Sequence, residues 1–308
     1  MNIKEIINEF EAKPYLIRMG KGSLSKRLKA TTSDILKAKK EFYNRSKPTK
    51  REPRILVLDI ETAPMKAYVF NLWKQDVGIE KLIDDWYMIC WSAKWLFDNK
   101  VLGDVLNSDE AKSQDDRRIT LSLSKLLDEA DIVITHNGKR FDLPRINARM
   151  LIHQLRPVTP YQNIDTCEIA KRQFGFSSNK LDFLARVLGM DTKLKTDFQL
   201  WSDCMEGKQE ALDYMYKYNN WDVEVLEAVY LRLRPWIKNH PNLSLYYECD
   251  EPICPNCGSP HLTAKGFYYT SANKYQVYQC ECGAISRVRT SAIHPDVKGL
   301  ILNNNLQY

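Results

Sequence analysis

The stretch Arg54-Ile-Leu-Val-Leu-Asp59-Ile-Glu61-Thr62 decides the fold. A short apolar run with β-branched residues reads as a buried strand, and Pro64 ends it. Alternate residues of a strand share a face, so Asp59 and Glu61 project side by side. Two anions at that spacing repel each other and are costly to bury unpaired. A bound cation relieves both problems.

Outward from this strand, residues 86–96 and 101–106 read as further strands, 119–129 as a helix and 131–135 as another buried strand. Residues 143–155, 181–188 and 209–233 have helical spacing. Strands come first and then alternate with helices, so residues 55–240 are expected to form an α/β domain, a mixed sheet flanked by helices.

Two more acidic positions fall on elements suited to chemistry. Thr135-His-Asn137-Gly-Lys-Arg-Phe141-Asp142 runs from a strand into a helix, and loops at strand ends commonly carry function. Asn137 and Phe141 are candidates for the floor under a terminal nucleotide. Tyr218 and Asp222 are four apart on the last helix and share a face. Singly, each pattern is more often structural than catalytic. Together, in this order and on these element types, they are hard to obtain by chance.

The set resembles the tyrosine-containing branch of the DEDD superfamily of 3′→5′ exonucleases, the branch of family B DNA polymerase proofreading domains. The matching motifs are Asp59-Ile-Glu61-Thr62, His136-Asn137-Gly138-Lys139-Arg140-Phe141-Asp142 and Tyr218-x-x-x-Asp222. The segment from Asn179 to Gly189 is similar to the helix before the last motif. The histidine branch would need His at position 217, which is Lys217. The resemblance spans about residues 54–240 and leaves no room for a polymerase palm or fingers.

That resemblance implies a ribonuclease-H-like fold and two Mg²⁺ or Mn²⁺ ions. It implies that Asp59, Glu61 and Asp222 share one ion and that Asp59 also touches the second. Asp142 would act on that second ion through water, and Tyr218 would orient the attacking water. The catalytic set is thus Asp59, Glu61, Asp142, Tyr218 and Asp222, with Thr62, Asn137 and Phe141 expected to touch substrate. Physical chemistry agrees: all-oxygen ligands suit Mg²⁺ or Mn²⁺, and two such ions stabilise both the entering and the leaving oxygen of a phosphodiester. Tyrosine, with an unperturbed pKa near ~10, is a better positioner than base.

Four of the eight cysteines cluster near the C-terminus. Cys254-Pro-Asn-Cys257-Gly is a tight metal knuckle, and Cys280-Glu-Cys282-Gly follows after 22 residues rich in β formers. Residues 250–290 resemble a zinc ribbon holding one structural Zn²⁺ on Cys254, Cys257, Cys280 and Cys282. The second knuckle is one residue shorter than usual, which leaves His261 open as a substitute ligand. Lys265, Lys274, Arg287 and Arg289 lie among tyrosines, a pattern that either tracks a single strand or fills a tiny core. Cys90, Cys167, Cys204 and Cys249 are scattered, as buried thiols of a reducing compartment would be.

Residues 1–45 read as a basic helical, helix-turn-helix-like module. Leu24 and Leu28 share one helix; Thr32 or Ser33 caps the next, whose apolar side is Ile35, Leu36 and Phe42. Residues 46–54 read as a linker and 291–308 as an irregular tail. Residues 1–54 carry 15 Lys/Arg against 6 Asp/Glu, whereas the whole chain nets +6, so a basic arm joins a mildly acidic body. That imbalance suggests a polyanionic partner for the arm.

No apolar run reaches 18 residues, which argues against a membrane span, and the N-terminus lacks the features of a signal peptide. A cytoplasmic protein is expected. The function expected is 3′→5′ exonuclease action on DNA with a single-stranded 3′ end. Proofreading on behalf of a separate DNA polymerase is one setting for it. The motifs alone leave RNA as an alternative substrate, and an inactive nucleic-acid-binding protein or an endonuclease on a related fold as alternative functions. Asp165 is read as supporting the site from behind, His136 as structural or substrate-touching, and Lys180 as a phosphate contact or a solvated side chain. Trp73, Trp91, Trp95, Trp221 and Trp236 are read as core.

Overall fold

The computed structural model describes residues 1–45, 52–74, 76–190, 194, 196–247, 249 and 251–302. The chain divides into two compact units, Met1–Glu52 with Tyr246–Glu248, and Pro53–Leu245 with Cys249–Tyr308. Residues 46–51 of the expected linker and 303–308 of the tail lie outside the described residues. Among the described residues no helix is long and apolar enough to cross a membrane.

The first unit contains α1 (Ile3–Ala12), α2 (Lys21–Leu28) and α3 (Thr32–Arg45). Asn2 and Glu5 close a capping box on α1, satisfying N–H groups the first turn cannot pair itself. Ile6, Ile7, Phe10, Leu24, Leu28 and Ile35 form the core, and Phe42 packs edge-on against Phe10. Two expectations are corrected. Thr31, not Thr32 or Ser33, caps α3, accepting the Asp34 N–H at 3.1 Å. Leu36 is 50% exposed, because the position next to Ile35 turns about 100° off the buried stripe; Ala38 faces the core instead.

The second unit is built on a five-stranded sheet. Its strands are β1 (Ile55–Thr62), β4 (Met88–Trp95), β5 (Val101–Val105), β6 (Ile132–Thr135) and β7 (Gln162–Asp165). The order is β5-β4-β1-β6-β7. β4 runs antiparallel to β1 and to β5, whereas β6 runs parallel to β1 and β7 parallel to β6. A hairpin of β2 (Lys66–Ala67) and β3 (Leu82–Asp84) follows β1. The helices are α4 (Ser108–Ser113), α5 (Arg117–Leu127), α6 (Asp142–Ile152), α7 (Thr166–Gln173), α8 (Leu181–Val187), α9 (Phe198–Met205) and α10 (Gln209–Leu233).

β1 is apolar on both faces over its first half because helices cover both. On one face Trp91, opposite Ile60, donates its indole N–H to the Ile119 carbonyl of α5 at 2.9 Å. On the other, α10 lies against β1, β4 and β5. Leu56, Val57 and Leu58 are fully buried, each worth ~1.5–3 kcal/mol as an upper estimate.

Not every tryptophan is core. Trp91 is buried, but Trp73, in the irregular segment between β2 and β3, is 84% exposed, and Trp236, in the helical turn after α10, is 65% exposed. The cysteine module is a separate sheet of β8 (Leu262–Tyr269), β9 (Lys274–Cys280) and β10 (Ile285–Arg287), ordered β10-β9-β8 and antiparallel throughout. Tyr268 and Tyr269 are more than half exposed, so these tyrosines do not fill a core. The tail contains one helical turn, α11 (Pro295–Lys298), started by Pro295 after the His294 cap.

Candidate active site

Three elements converge on one cavity. β1 supplies Asp59 and Glu61 from its second half, where the buried pattern breaks. α10 supplies Asp222, which is buried. One carboxylate oxygen from each of Asp59, Glu61 and Asp222 lies within 4.8 Å of the others. The cavity, about 480 Å³, is also lined by Asp142, Asn137, Phe141 and Lys180; Asp142 and Phe141 come to it from the start of α6.

The register of α10 over β1 is fixed by polar contacts. Asn219, fully buried, donates its amide to Asp59 Oδ2 at 2.6 Å. Ser92, directly opposite Asp59 on β4, donates to Asn220 Oδ1 at 2.8 Å. Two residues on, Lys94 pairs with Glu227, and Glu227 also accepts the Phe97 N–H at 2.8 Å. These bonds hold the face of α10 that carries Asp222 against the β1 carboxylates.

The loop between β6 and α6 is shaped by its own residues. Asn137 adopts φ 68°, a left-handed conformation that Asn tolerates better than most. A Cβ at Gly138 would meet the Thr135 side chain at 2.4 Å, so only glycine fits. Asp165 stands behind the loop: its carboxylate accepts the N–H groups of Asn137 at 2.8 Å and Lys139 at 3.1 Å while capping α7 through Cys167 and Glu168. His136 has its ring nitrogens 2.9 Å from Thr166 Oγ1 and 2.9 Å from the Asn179 carbonyl, which ties the loop to the segment carrying Lys180.

Asp142 is 2% exposed and accepts the Ile60 N–H at 3.2 Å, from the residue between Asp59 and Glu61. Burial pushes its carboxyl up to about 7; the Ile60 N–H opposes this, and the nearby Asp165 charge adds to it. It lines the cavity but stands outside the tight triplet. Cys90, opposite Glu61 across the strands, is pushed well above the ordinary thiol range by burial first and then by the charges of Glu61 and Asp59. The site is therefore a focus of negative potential, and an oxygen-only donor set of this spacing fits divalent Mg²⁺ or Mn²⁺.

The expected substrate contacts separate. Asn137 and Phe141 line the carboxylate cavity, and the Arg145 guanidinium lies 3.7 Å from the centre of the Phe141 ring. Thr62 lines a neighbouring cavity with Trp86, Arg145, Phe198 and Trp201. Tyr218 is buried and packs edge-on against that same Trp201, ring centres 6.4 Å apart. Asn219 escaped the sequence reading. An asparagine in a polar helical stretch carries no pattern, and its only signal was its place between Tyr218 and Asp222.

At the cysteine module, all four thiols lie within 4.8 Å of one another. Cys254 and Cys282 are 3.8 Å apart and Cys257 and Cys280 3.5 Å, too far for disulfides. Four sulfurs at the tetrahedral Zn–S length would sit ~3.8 Å apart, so the set fits zinc. Both knuckles close with backbone bonds, Gly258 N–H to Cys254 O and Gly283 N–H to Cys280 O, each 2.9 Å. Both glycines have positive φ, and the Gly283 turn lets the shorter Cys-x-Cys spacing present both thiols. His261 is not part of the set. The module is anchored to the α/β domain by Asn256, which donates to the Arg234 carbonyl at 3.0 Å, and by Leu243 N–H to the Pro255 carbonyl at 2.7 Å.

No curated protein matches the chain. Among solved structures, the family B DNA polymerase from the hyperthermophilic archaeon Pyrobaculum calidifontis aligns over 62% of this chain at 15% identity and TM-score 0.46. The alignment spans only 26% of that polymerase. Residues 95–234 match the family RNase_H_2 of the RNase_H superfamily, a stretch that includes Asp142, Tyr218 and Asp222 but begins after Asp59 and Glu61 of β1. The mixed sheet flanked by helices, carrying its acids at the end of the central strand, is a ribonuclease-H-like domain.

Proposed function

We propose that this protein is a metal-dependent 3′→5′ exonuclease acting on DNA with an unpaired 3′ end. The observation that carries the reading is the meeting of Asp59, Glu61 and Asp222 within 4.8 Å, beside Asp142 in one open cavity. Asp59, Glu61 and Asp222 would hold the first of two Mg²⁺ or Mn²⁺ ions, and Asp59 with Asp142 the second. Bound there, such ions supply Lewis-acid stabilisation of charge on the phosphoryl oxygens and make water a stronger nucleophile.

The remaining work falls to the chain itself. Asn219 holds the Asp59 carboxylate in place at the cavity wall. The Ile60 N–H does the same for Asp142. Phe141, steadied by Arg145, offers a ring to the terminal nucleoside, and Lys180 at the cavity wall neutralises a phosphate. Tyr218, one turn before Asp222 and wedged against Trp201, orients the attacking water. The cysteine module holds one structural Zn²⁺ that contributes folding energy, not chemistry. The basic residues of α1–α3 supply attraction to the substrate backbone.

Purified protein given Mg²⁺ or Mn²⁺ should shorten single-stranded DNA. Asp59→Ala should lower the rate by ~10²–10³-fold, the scale seen when a key electrostatic group of a site is removed, with no loss of folding cooperativity. Undiminished metal-dependent hydrolysis by Asp59→Ala would sink the assignment. Matched RNA in the same assay decides between the polymers, since the chemistry acts on phosphate and not on sugar.

A further inference from the structure

The carboxylate cavity is joined by one helix to a second, aromatic one. Lys180, Leu181 and Asp182, at the start of α8, line the first cavity. Leu188, the C-cap of the same helix, lines another of about 720 Å³. At the helical rise the two are about 10 Å apart along α8. This second cavity lies where the nuclease-like domain meets the cysteine module: Phe174, Phe176 and Trp236 wall it on one side, Gly283 and Ile285 on the other.

Its rings are arranged as a platform. Phe174 and Phe176 stack with centres 5.4 Å apart, and Trp236 meets Phe174 edge-on at 6.0 Å. Yet the cluster is not sealed, with Trp236 65% and Ile285 66% exposed. Arg232 lines the same wall. Ile285 and Arg287 share a face of β10, so the cavity leads onto a row of ring–cation pairs. There the Arg287 guanidinium lies 4.0 Å from the centre of the Tyr275 ring and 5.7 Å from that of Tyr268, the residue paired with Tyr275 on β8.

Open aromatic surfaces interleaved with cations suit unpaired nucleic acid, whose bases stack on rings and whose phosphates need positive charge. A duplex keeps its base faces stacked on one another and has none to offer. An apolar peptide would leave Arg232 and Arg287 unmatched. Resting on the exonuclease reading of the carboxylate site, we propose that this cavity binds nucleobases of the unpaired strand on the 5′ side of the scissile end. They stack on Phe174, Phe176 and Trp236, and the backbone continues along β10 past Arg287. The cysteine module is then part of the substrate groove and not only a structural appendage.

The test compares full-length wild type, Trp236→Ala and the Trp236→Ala/Ile285→Ser double variant on a dinucleotide and on an oligonucleotide of about a dozen nucleotides with Mn²⁺. Wild type should show a much lower KM for the longer strand. Loss of a stacking ring should raise that KM by ~5-fold or more, leaving kcat and all dinucleotide kinetics unchanged. Unchanged dinucleotide turnover also shows that the variants fold. Wild-type KM on the long strand in both variants would overturn the inference while leaving the exonuclease reading intact. Should wild type hydrolyse nothing, the exonuclease reading fails. Fluorescence anisotropy of the labelled oligonucleotide without metal then judges the cavity alone. Weaker binding by both variants supports it, and equal binding refutes it.

Discussion

Asn219 shows how much of the site depends on a side chain that need not touch substrate. Its amide N–H lies 2.6 Å from Asp59, the carboxylate assigned to both ions, and its own carbonyl oxygen, buried, has no hydrogen-bond partner among the described residues. A buried amide with one end unmet costs stability, and such costs concentrate where function requires a fixed geometry. Residues that orient metal ligands typically change metal affinity or activity by ~10–100-fold when removed. Asn219→Leu should therefore raise the Mn²⁺ concentration needed for half-maximal rate by about that factor, with a smaller effect at saturating metal. Calorimetric Mn²⁺ titration without substrate checks it; a wild-type isotherm would reduce Asn219 to a packing residue.

At the scale of elements, α10 is the part on which the site turns, because β1 alone can supply only two of the three clustered acids. Lys94 and Glu227 are both nearly buried where the helix crosses β4, with side chains 14% and 10% exposed. Removing one partner of a buried pair leaves the other charge stranded. Lys94→Met should destabilise the domain by ~3–5 kcal/mol and lower activity as α10 loses its register. Adding Glu227→Gln, which keeps an acceptor for the Phe97 N–H, should restore most of both. Urea denaturation of the single and double variants measures this, and additive losses would contradict it.

The same elements show what the sequence revealed. β1, β6 and α10 were legible because buried strands are continuously apolar and long helices are periodic. The β2–β3 hairpin was not, since strands of two and three residues carry no period. The helices α7 and α9 were missed although Asp165 and Asp197 stand at their N-caps, because one capping residue before a short polar run is a faint signal. Spacing placed Tyr218 and Asp222 on one face of α10. It could not show that Tyr218 packs edge-on against Trp201, because that depends on Trp201 arriving from α9.

For the molecule as a whole, separate modules have separate roles in the proposed function. The nuclease-like domain cuts, the cysteine module extends the groove, and the basic helices of the first unit attract a polyanion. Metal content is the cheapest check on the role of the cysteine module, since purified protein should carry one zinc per chain. Cys257→Ser should abolish that zinc and unfold the module, with loss of activity on long strands exceeding loss on dinucleotides. Protein free of zinc with an intact module would contradict it. The central claim concerns what the carboxylates do, and direction of cutting tests it most directly. Single-stranded DNA labelled at its 5′ end, incubated with the protein and Mg²⁺, should yield a ladder that descends one nucleotide at a time and is absent with Asp222→Asn. Immediate release of a labelled mononucleotide, a single internal cut, or an unchanged band would each contradict the claim.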